Sequence, residues 1–340
     1  MISAGLGHMF KTIEMAVGDS YRFPFFDPST MAQREVLLRV VGKESLVINK
    51  IEYNAFRLET EMWGRVMTFW VDEQGSILRE EGFMGLTLVK SSSANAPMNI
   101  EGGGGEDFYE ITSVPVDKNI PDPLKLASLK LKVIGISDTD IENGVWNGVR
   151  QAYSAGIMEI KKEKIPERGS YLIPYNSDDK MASFLRPEFN IESDAQEIVE
   201  RARKIAYKDQ DPLSIAGKMM KWVYDSLDKR PVVSVPSALE VLRTRVGDCN
   251  EHATLLTALL RAVRIPARLS IGVVYTRNKF FYHAWTEAYV GEWITLDATM
   301  NQMPVDVSHI RLVYGNLDKQ VEILGLIGKL KFEVLDYEYD

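Results

Sequence analysis

The sequence predicts an α+β protein in two parts: a mostly antiparallel β region over residues 1–190, then an α+β core over residues 191–340. Three observations predict it. Residues 34 to 90 break into short β-branched or aromatic runs separated by turn residues. From Ala195 the apolar positions switch to helical spacing. From Leu269 strand-like runs return, alternating with turns.

In the first part, Glu35–Val41, Ser45–Asn49, Phe56–Trp63, Arg65–Val71 and Ser76–Glu80 read as strands. Gly42-Lys43-Glu44, Trp63-Gly64 and Asp72-Glu73-Gln74-Gly75 supply turns between them, the spacing of an antiparallel meander. Residues 91–106, with four consecutive glycines, read as a connecting loop, because ordering glycine costs the most backbone entropy. Strands resume at Asp107–Thr112, Ser128–Ile134 and Gly156–Ile160. In the second of these, Leu129, Leu131 and Val133 alternate with Lys130 and Lys132, as in a half-buried strand.

The second part opens near Phe189–Ser193. Ser193 or Asp194 caps a helix expected from Ala195 to about Tyr207, with Ile198, Ala202 and Ile205 inward. Another helix runs from Pro212 to Leu227, burying Ile215, Met219, Trp222, Val223 and Leu227. A short helix follows at Ser237–Leu242. The apolar run Ala253–Arg264 reads as a buried helix, and Leu269–Thr276, Tyr282–Val290 and Trp293–Ala298 as three strands.

A length of 340 residues exceeds what one core usually supports, in agreement with two domains. At 45% hydrophobic and 26% charged, the composition is that of a globular chain. The net charge of −8 argues against a nucleic-acid partner, which calls for a basic surface. One cysteine excludes an internal disulfide, and no Cys/His cluster has zinc spacing, so neither metal nor cofactor is expected. No apolar run reaches the ~18 residues of a membrane span. Met1–Met15 lacks the pattern of a signal peptide.

The single cysteine lies in Gly247-Asp248-Cys249-Asn250-Glu251-His252-Ala253. Asp248 is a suitable N-cap and Glu251 completes a capping box, so a helix should begin at Cys249. A thiol in a first helical turn faces unpaired N–H groups and the positive end of the dipole, which favour thiolate; a nearby Glu251 anion opposes it. His283 and Asp297 are the candidate partners. Side chains 283, 285, 287 and 289 share one face of a strand. If Val290-Gly291-Glu292 is a three-residue hairpin loop, Tyr289 pairs with Trp293 and Asp297 comes within reach of His283. A two-residue loop would turn Asp297 to the other face. Cys249, His283 and Asp297 are thus candidate nucleophile, base and orienting carboxylate. His252 and His309 read as flanking or loop residues, and Trp285 and Glu287 as groove or packing residues. The backbone N–H of Cys249 is a candidate oxyanion donor.

These residues, with Leu259-Leu260-Arg261-Ala262-Val263-Arg264-Ile265-Pro266-Ala267-Arg268, His283-Ala284-Trp285-Thr286-Glu287 and Trp293–Asp297, resemble the transglutaminase-like superfamily, whose core relates to papain-like cysteine proteases. The resemblance covers about residues 190 to 315. It implies that Cys249, His283 and Asp297 match the family's triad and act through a thioester on protein or peptide amides. The family also contains inactive scaffolds, so the competing expectation is a non-catalytic interaction module. The resemblance further implies a bacterial envelope or periplasmic setting, with the N-terminal β domain available to a partner protein. A loop near 276–281 is expected to control access of water or amine to the thioester.

Overall fold

The computed structural model describes residues 10, 13–27, 32–48, 51–62, 65–81, 87–90, 113–136, 145–176, 179–230, 237–315 and 329–340. The chain divides into two compact units, Met1–Thr112 and Ser113–Asp340. The expected strand at 107–112 and the glycine-rich stretch 91–106 lie outside the described residues.

The first unit is a six-stranded antiparallel sheet whose strands lie side by side in chain order: β1 (Ser20–Asp27), β2 (Ala32–Ile48), β3 (Ile51–Met62), β4 (Arg65–Val71), β5 (Ile77–Glu81) and β6 (Thr87–Val89). That is the meander the turn spacing predicts. One face buries Val36, Leu38 and Val40 of β2 against Leu58, Met67, Phe69 and Val71, the period-2 pattern of a sheet with one packed side. The expected turn at Gly42-Lys43-Glu44 is absent. β2 runs through it as one strand, and its register against β3 shifts between Val40 and Gly42. The extra residue is absorbed as a bulge, where glycine is tolerated, while Lys43 and Glu44 stay paired with Phe56 and Ala55.

The second unit holds two larger sheets and four helices of regular α-type among its described residues. In one sheet β8 (Leu126–Ile134), β9 (Gln151–Ser154), β10 (Ile157–Lys161) and β17 (Lys331–Tyr339) lie in the order β17-β8-β10-β9. In the other, β13 (Ala267–Thr276), β14 (Lys279–Tyr289), β15 (Trp293–Leu296) and β16 (Ile310–Tyr314) follow the order β15-β14-β13-β16, and β7 (Ser113–Val114) pairs with the start of β14. A short parallel pair joins β11 (Asp228–Lys229) to β12 (Val246–Gly247).

The helices are α1 (Gln196–Ala206), α2 (Pro212–Ser226), α3 (Ala238–Thr244) and α4 (Cys249–Ala262). α1 buries Ile198, Ala202 and Ala206, and α2 buries Ile215, Met219 and Val223. The N-cap of α1 is Ala195, without a side-chain cap bond, rather than Ser193 or Asp194. At α2, Asp211 accepts from the Leu213 N–H, and Pro212 takes the first position, where its missing N–H costs nothing. Trp222 is only half-buried and carries the Arg201 and Arg245 guanidinium groups over its ring, at 5.1 and 4.5 Å. Helix α4 is buried all round, including Leu255, Leu256, Leu259 and Leu260, so it forms the centre of the core. Truncating any of these leucines to alanine leaves a cavity that costs about 2–5 kcal/mol.

The border between the units differs from the one expected at residue 190. Leu129, Leu131, Met158 and Ile160 of β8 and β10 belong to the same buried cluster as α1–α4 and the β13–β16 sheet. Residues 113–190 therefore share the core of the helical part. Sequence periodicity marks where strands give way to helices, and here that change does not coincide with a change of core. Among the described residues, no helix is long and apolar enough to cross a membrane.

Candidate active site

Asp248 and Glu251 form the capping box at the head of α4. The Asp248 carboxylate accepts from the Asn250 N–H at 3.0 Å, and the Glu251 carboxyl accepts from the Asp248 N–H at 2.9 Å. Cys249 is consequently the first helical residue, as its neighbours predict. Gly247 precedes the cap because a Cβ there would lie 2.2 Å from the Cβ of Glu251. Burial and the adjacent Asp248 hold the Glu251 carboxyl above the usual carboxylate range.

The hairpin of β14 and β15 decides where Asp297 falls. Tyr289 pairs with Trp293, and the Val290 N–H donates to the Glu292 carbonyl at 2.9 Å, closing the three-residue loop. Gly291 takes φ +119° inside it, and a Cβ there would meet Ser170 Oγ at 1.9 Å, so glycine is required on two counts. With that register His283 and Asp297 meet: His283 Nε2 lies 2.7 Å from Asp297 Oδ2, with both residues buried. The Asp297 carboxylate can only accept, so His283 carries its proton on Nε2 and leaves Nδ1 as the free base. Oδ1 of the same carboxylate accepts from the Thr299 and Met300 N–H groups at 2.6 and 3.1 Å. Burial opposes its charge, but the His283 and His309 contacts outweigh that and hold Asp297 well below the usual carboxylate range.

The thiol reaches this pair through β14. The backbone N–H of Ala284, the residue after His283, bonds the Cys249 sulfur and favours thiolate. Burial and the Asp248 charge act in the other direction and together push the Cys249 thiol well above its ordinary value. The activation expected from the helix end is thus outweighed at rest. No hydrogen bond joins the thiol to His283 among the described contacts. Beside the thiol, Tyr282 donates its hydroxyl to Asn250 Oδ1 at 2.9 Å.

The remaining sequence candidates fall as follows. Trp285 and Glu287 are both buried. Trp285 stacks on His283, with ring centroids 6.3 Å apart and an interplanar angle of 22°. Glu287 accepts from Arg268 at 2.9 and 2.6 Å, from Ser270 at 2.7 Å and from Arg311 at 3.1 Å. These guanidinium groups offset the burial cost and lower its carboxyl. Both residues therefore build the sheet face rather than a groove. His252 is buried and donates Nδ1–H to the Asp248 carbonyl at 2.6 Å. His8 lies outside the described residues.

The loop expected near 276–281 is a two-residue hairpin turn. Thr276 pairs with Lys279, and Arg277 and Asn278 take φ 49° and 65°, the tightest connection two strands accept. It offers no length for a moving gate.

His309 is the residue that sequence reading undervalued. Its Nε2 lies 3.2 Å from Asp297 Oδ2, the oxygen that also meets His283. The ligand-type atoms of His283, Asp297 and His309 fall within 4.8 Å of one another. Two ligands of a tetrahedral ion held at ~2.0 Å stay about 3.3 Å apart, and the 2.7 Å contact is closer than that. The arrangement suits shared protons.

Residues 199–298 match the transglutaminase-like superfamily, and this segment contains Cys249, His283 and Asp297. Residues 199–298 therefore form a transglutaminase-like domain, and an N-terminal β region precedes it in the chain. A comparison with curated proteins returns no match. Among solved structures it is similar to a candidate cysteine protease from Cytophaga hutchinsonii, 17% identical, with 64% of this chain and 86% of that one covered and a TM-score of 0.39. A candidate protease from Parabacteroides distasonis is also 17% identical, over 50% of this chain and 39% of that one, with a TM-score of 0.28. The periplasmic domain of TgpA from Pseudomonas aeruginosa is 13% identical, over 54% and 85%, with a TM-score of 0.33.

Proposed function

We propose that the chain catalyses cysteine-dependent acyl transfer on protein or peptide amides. The observation that carries this reading is the His283–Asp297 pair, whose free Nδ1 belongs to the strand residue next to the one that bonds the Cys249 sulfur. Burial keeps the resting thiol protonated, so the proton leaves as the sulfur attacks: His283 Nδ1 takes it while a C–S bond forms to the amide carbonyl carbon. Asp297 stabilises the imidazolium and fixes its ring. The Cys249 N–H, in the first turn of α4, is the donor for the developing oxyanion. Collapse breaks the C–N bond, and the imidazolium returns its proton to the leaving amine. Water or a second amine then attacks the thioester, passes a proton back through His283 and restores the thiol.

The test is alkylation of Cys249 by iodoacetamide at pH 7 in the full chain, compared with His283→Ala. The proposal expects labelling that falls at least about tenfold in the variant, since an unassisted thiol raised above its ordinary value holds little thiolate at pH 7. A second reading, a non-catalytic interaction module, is favoured by the half-buried, upward-shifted thiol. It predicts equally slow labelling in both proteins.

A further inference from the structure

Asp297 receives two imidazoles on one oxygen. His283 Nε2 lies 2.7 Å from Oδ2 and His309 Nε2 3.2 Å from the same atom. The other ring nitrogen of His309, Nδ1, lies 3.3 Å from Asp306 Oδ1. The ring is fully buried between two carboxylates and has no exposed edge through which water could supply another partner.

Proton counting limits the choices. An ionised carboxylate only accepts, and a neutral imidazole has a single N–H. For both ring nitrogens of His309 to face carboxylate oxygens, either the ring carries two protons or one of the carboxyls carries one. Both carboxylates are held as anions by other donors. Asp297 Oδ1 accepts two backbone N–H groups. Asp306 accepts from the Ser308 N–H and hydroxyl at 2.8 and 2.6 Å, and from the Gln302 amide at 3.0 Å. The remaining assignment is an imidazolium.

We propose that His309 is a positioning residue for the acyl-transfer centre: a buried cation between Asp297 and Asp306 that shares the triad carboxylate with His283 and so restrains formation of the thiolate–imidazolium pair. The inference rests on the cysteine chemistry proposed above. His309 lies beyond the family-matched segment 199–298, and no sequence motif around it points to this role. Burial works against the cation, but the hydrogen bonds from Asp297 and Asp306 and their charges outweigh it, raising the His309 imidazole above its ordinary value.

The charged groups that face His309 are accounted for. From the 297–306 segment come Asp297 and Asp306. From β14 comes His283, whose ring meets His309 edge-on with centroids 5.5 Å apart; Trp285 of the same strand adds an uncharged wall at 5.4 Å. Glu287, further along β14, is committed to Arg268 and to Arg311 of β16. Arg150, before β9, donates to the Asp306 carbonyl at 2.6 Å and lies beside Glu163, their closest atoms 4.0 Å apart. No other carboxylate reaches the ring among the described contacts.

The consequence is a competition for one anion. While His309 is charged, a second proton on the neighbouring ring adds a like charge across the shared oxygen. The Cys249 thiol, raised by burial and Asp248, rests protonated, and the ion pair forms only as substrate is attacked. Removing the cation but keeping a donor toward Oδ2 gives His283 the whole carboxylate charge.

The experiment uses the full chain with nitrogen-15-labelled histidine. Its four histidines are separable by single substitutions. The first arm reads the His309 ring nitrogens by NMR from pH 6 to 8. Two N–H signals throughout support the proposal; a neutral ring at pH 7 overturns it. The second arm measures iodoacetamide labelling of Cys249 at pH 7 in His309→Gln. The expected result is a rise of roughly threefold to tenfold, where tenfold corresponds to about one pH unit. A merely structural role predicts slower labelling, and an unchanged or lowered rate in a folded variant overturns the proposal. Should His309→Gln fail to fold, Asp306→Asn takes its place: it withdraws one carboxylate, and the His309 ring should become neutral by pH 8 with the same rise in labelling. If labelling never depends on His283, the cysteine chemistry fails, while the ring-nitrogen spectrum still decides the charge of His309.

Discussion

His283 reaches Asp297 with a 2.7 Å contact because the hairpin between them contains three residues and not two. One residue fewer would turn the carboxylate to the helix side of the sheet. The meeting of carboxylate and imidazole here is a consequence of strand register.

The carboxylate should matter to rate. Asp297→Asn keeps the shape but loses the charge that favours a protonated His283. We expect Cys249 labelling at pH 7 to fall about 100-fold or more, within the range of lost general-base assistance. Stopped-flow alkylation of the folded variant measures it.

Stability should fall as well. Asp297→Ala leaves the His309 cation buried beside only Asp306, and the Thr299 and Met300 N–H groups without acceptors. Breaking a buried pair of this kind costs about 3–5 kcal/mol. Urea unfolding of the full chain checks it, read at the second unit through Trp285 or Trp146 fluorescence.

Gly272 is constrained by backbone. It pairs with His283 on β13, and a Cβ there would lie 1.9 Å from the Ile310 carbonyl oxygen on β16. No side-chain rotation relieves that contact. Gly272→Ala should destabilise by about 1–3 kcal/mol through overpacking and displace the neighbouring His309. A lowered melting temperature together with altered His309 NMR signals is the expected pair of results.

The pH dependence of stability has two flanks. Asp297 and Asp306 are held below their unfolded values near 3.9, so their contribution is present above that pH and is lost as pH falls toward the folded values. His309 is raised above its unfolded value of about 6.5. Its contribution is complete below that pH and is lost as pH rises through the folded value. Melting temperature should therefore plateau between about pH 4 and 6.5, and the alkaline decline should flatten in His309→Gln. A scan of melting temperature against pH decides this.

The border between units is testable by dissection. A fragment spanning 113–340 contains β8, β10 and β17 with the helical core and should melt cooperatively. One spanning 191–340 leaves β17 without β8 and exposes Phe332 and Val334; it should aggregate or bind a hydrophobic dye. Circular dichroism on both fragments is the measurement.

Much of this was legible in residues. The capping box at Asp248 and Glu251 fixed the start of α4, and Gly291 favoured the loop that brings His283 to Asp297. Two kinds of information were not local. His309 looks like a loop histidine until β16 returns beside β13 and places it on a carboxylate 12 positions away in sequence. The unit border fell late because residues 113–190 have strand periodicity like the first unit, yet their buried side chains belong to the same cluster as α1–α4 and the β13–β16 sheet. The turn at Arg277-Asn278 was hidden for a third reason: both adopt positive φ without glycine, and a non-glycine left-handed pair gives a weak sequence signal.

The pairing of β8 with β17 carries a mechanical implication. Leu126 lies opposite Tyr339, and Ile134 opposite Lys331, so the two strands meet at the ends nearest the unit's own termini. Tension drawn between Leu126 and Tyr339 would unzip the ladder rung by rung, whereas tension entering at Ser113 first loads β7 against β14 and the parallel Val116–Phe332 bridge. Through β7 that load passes directly to β14, the strand that carries His283.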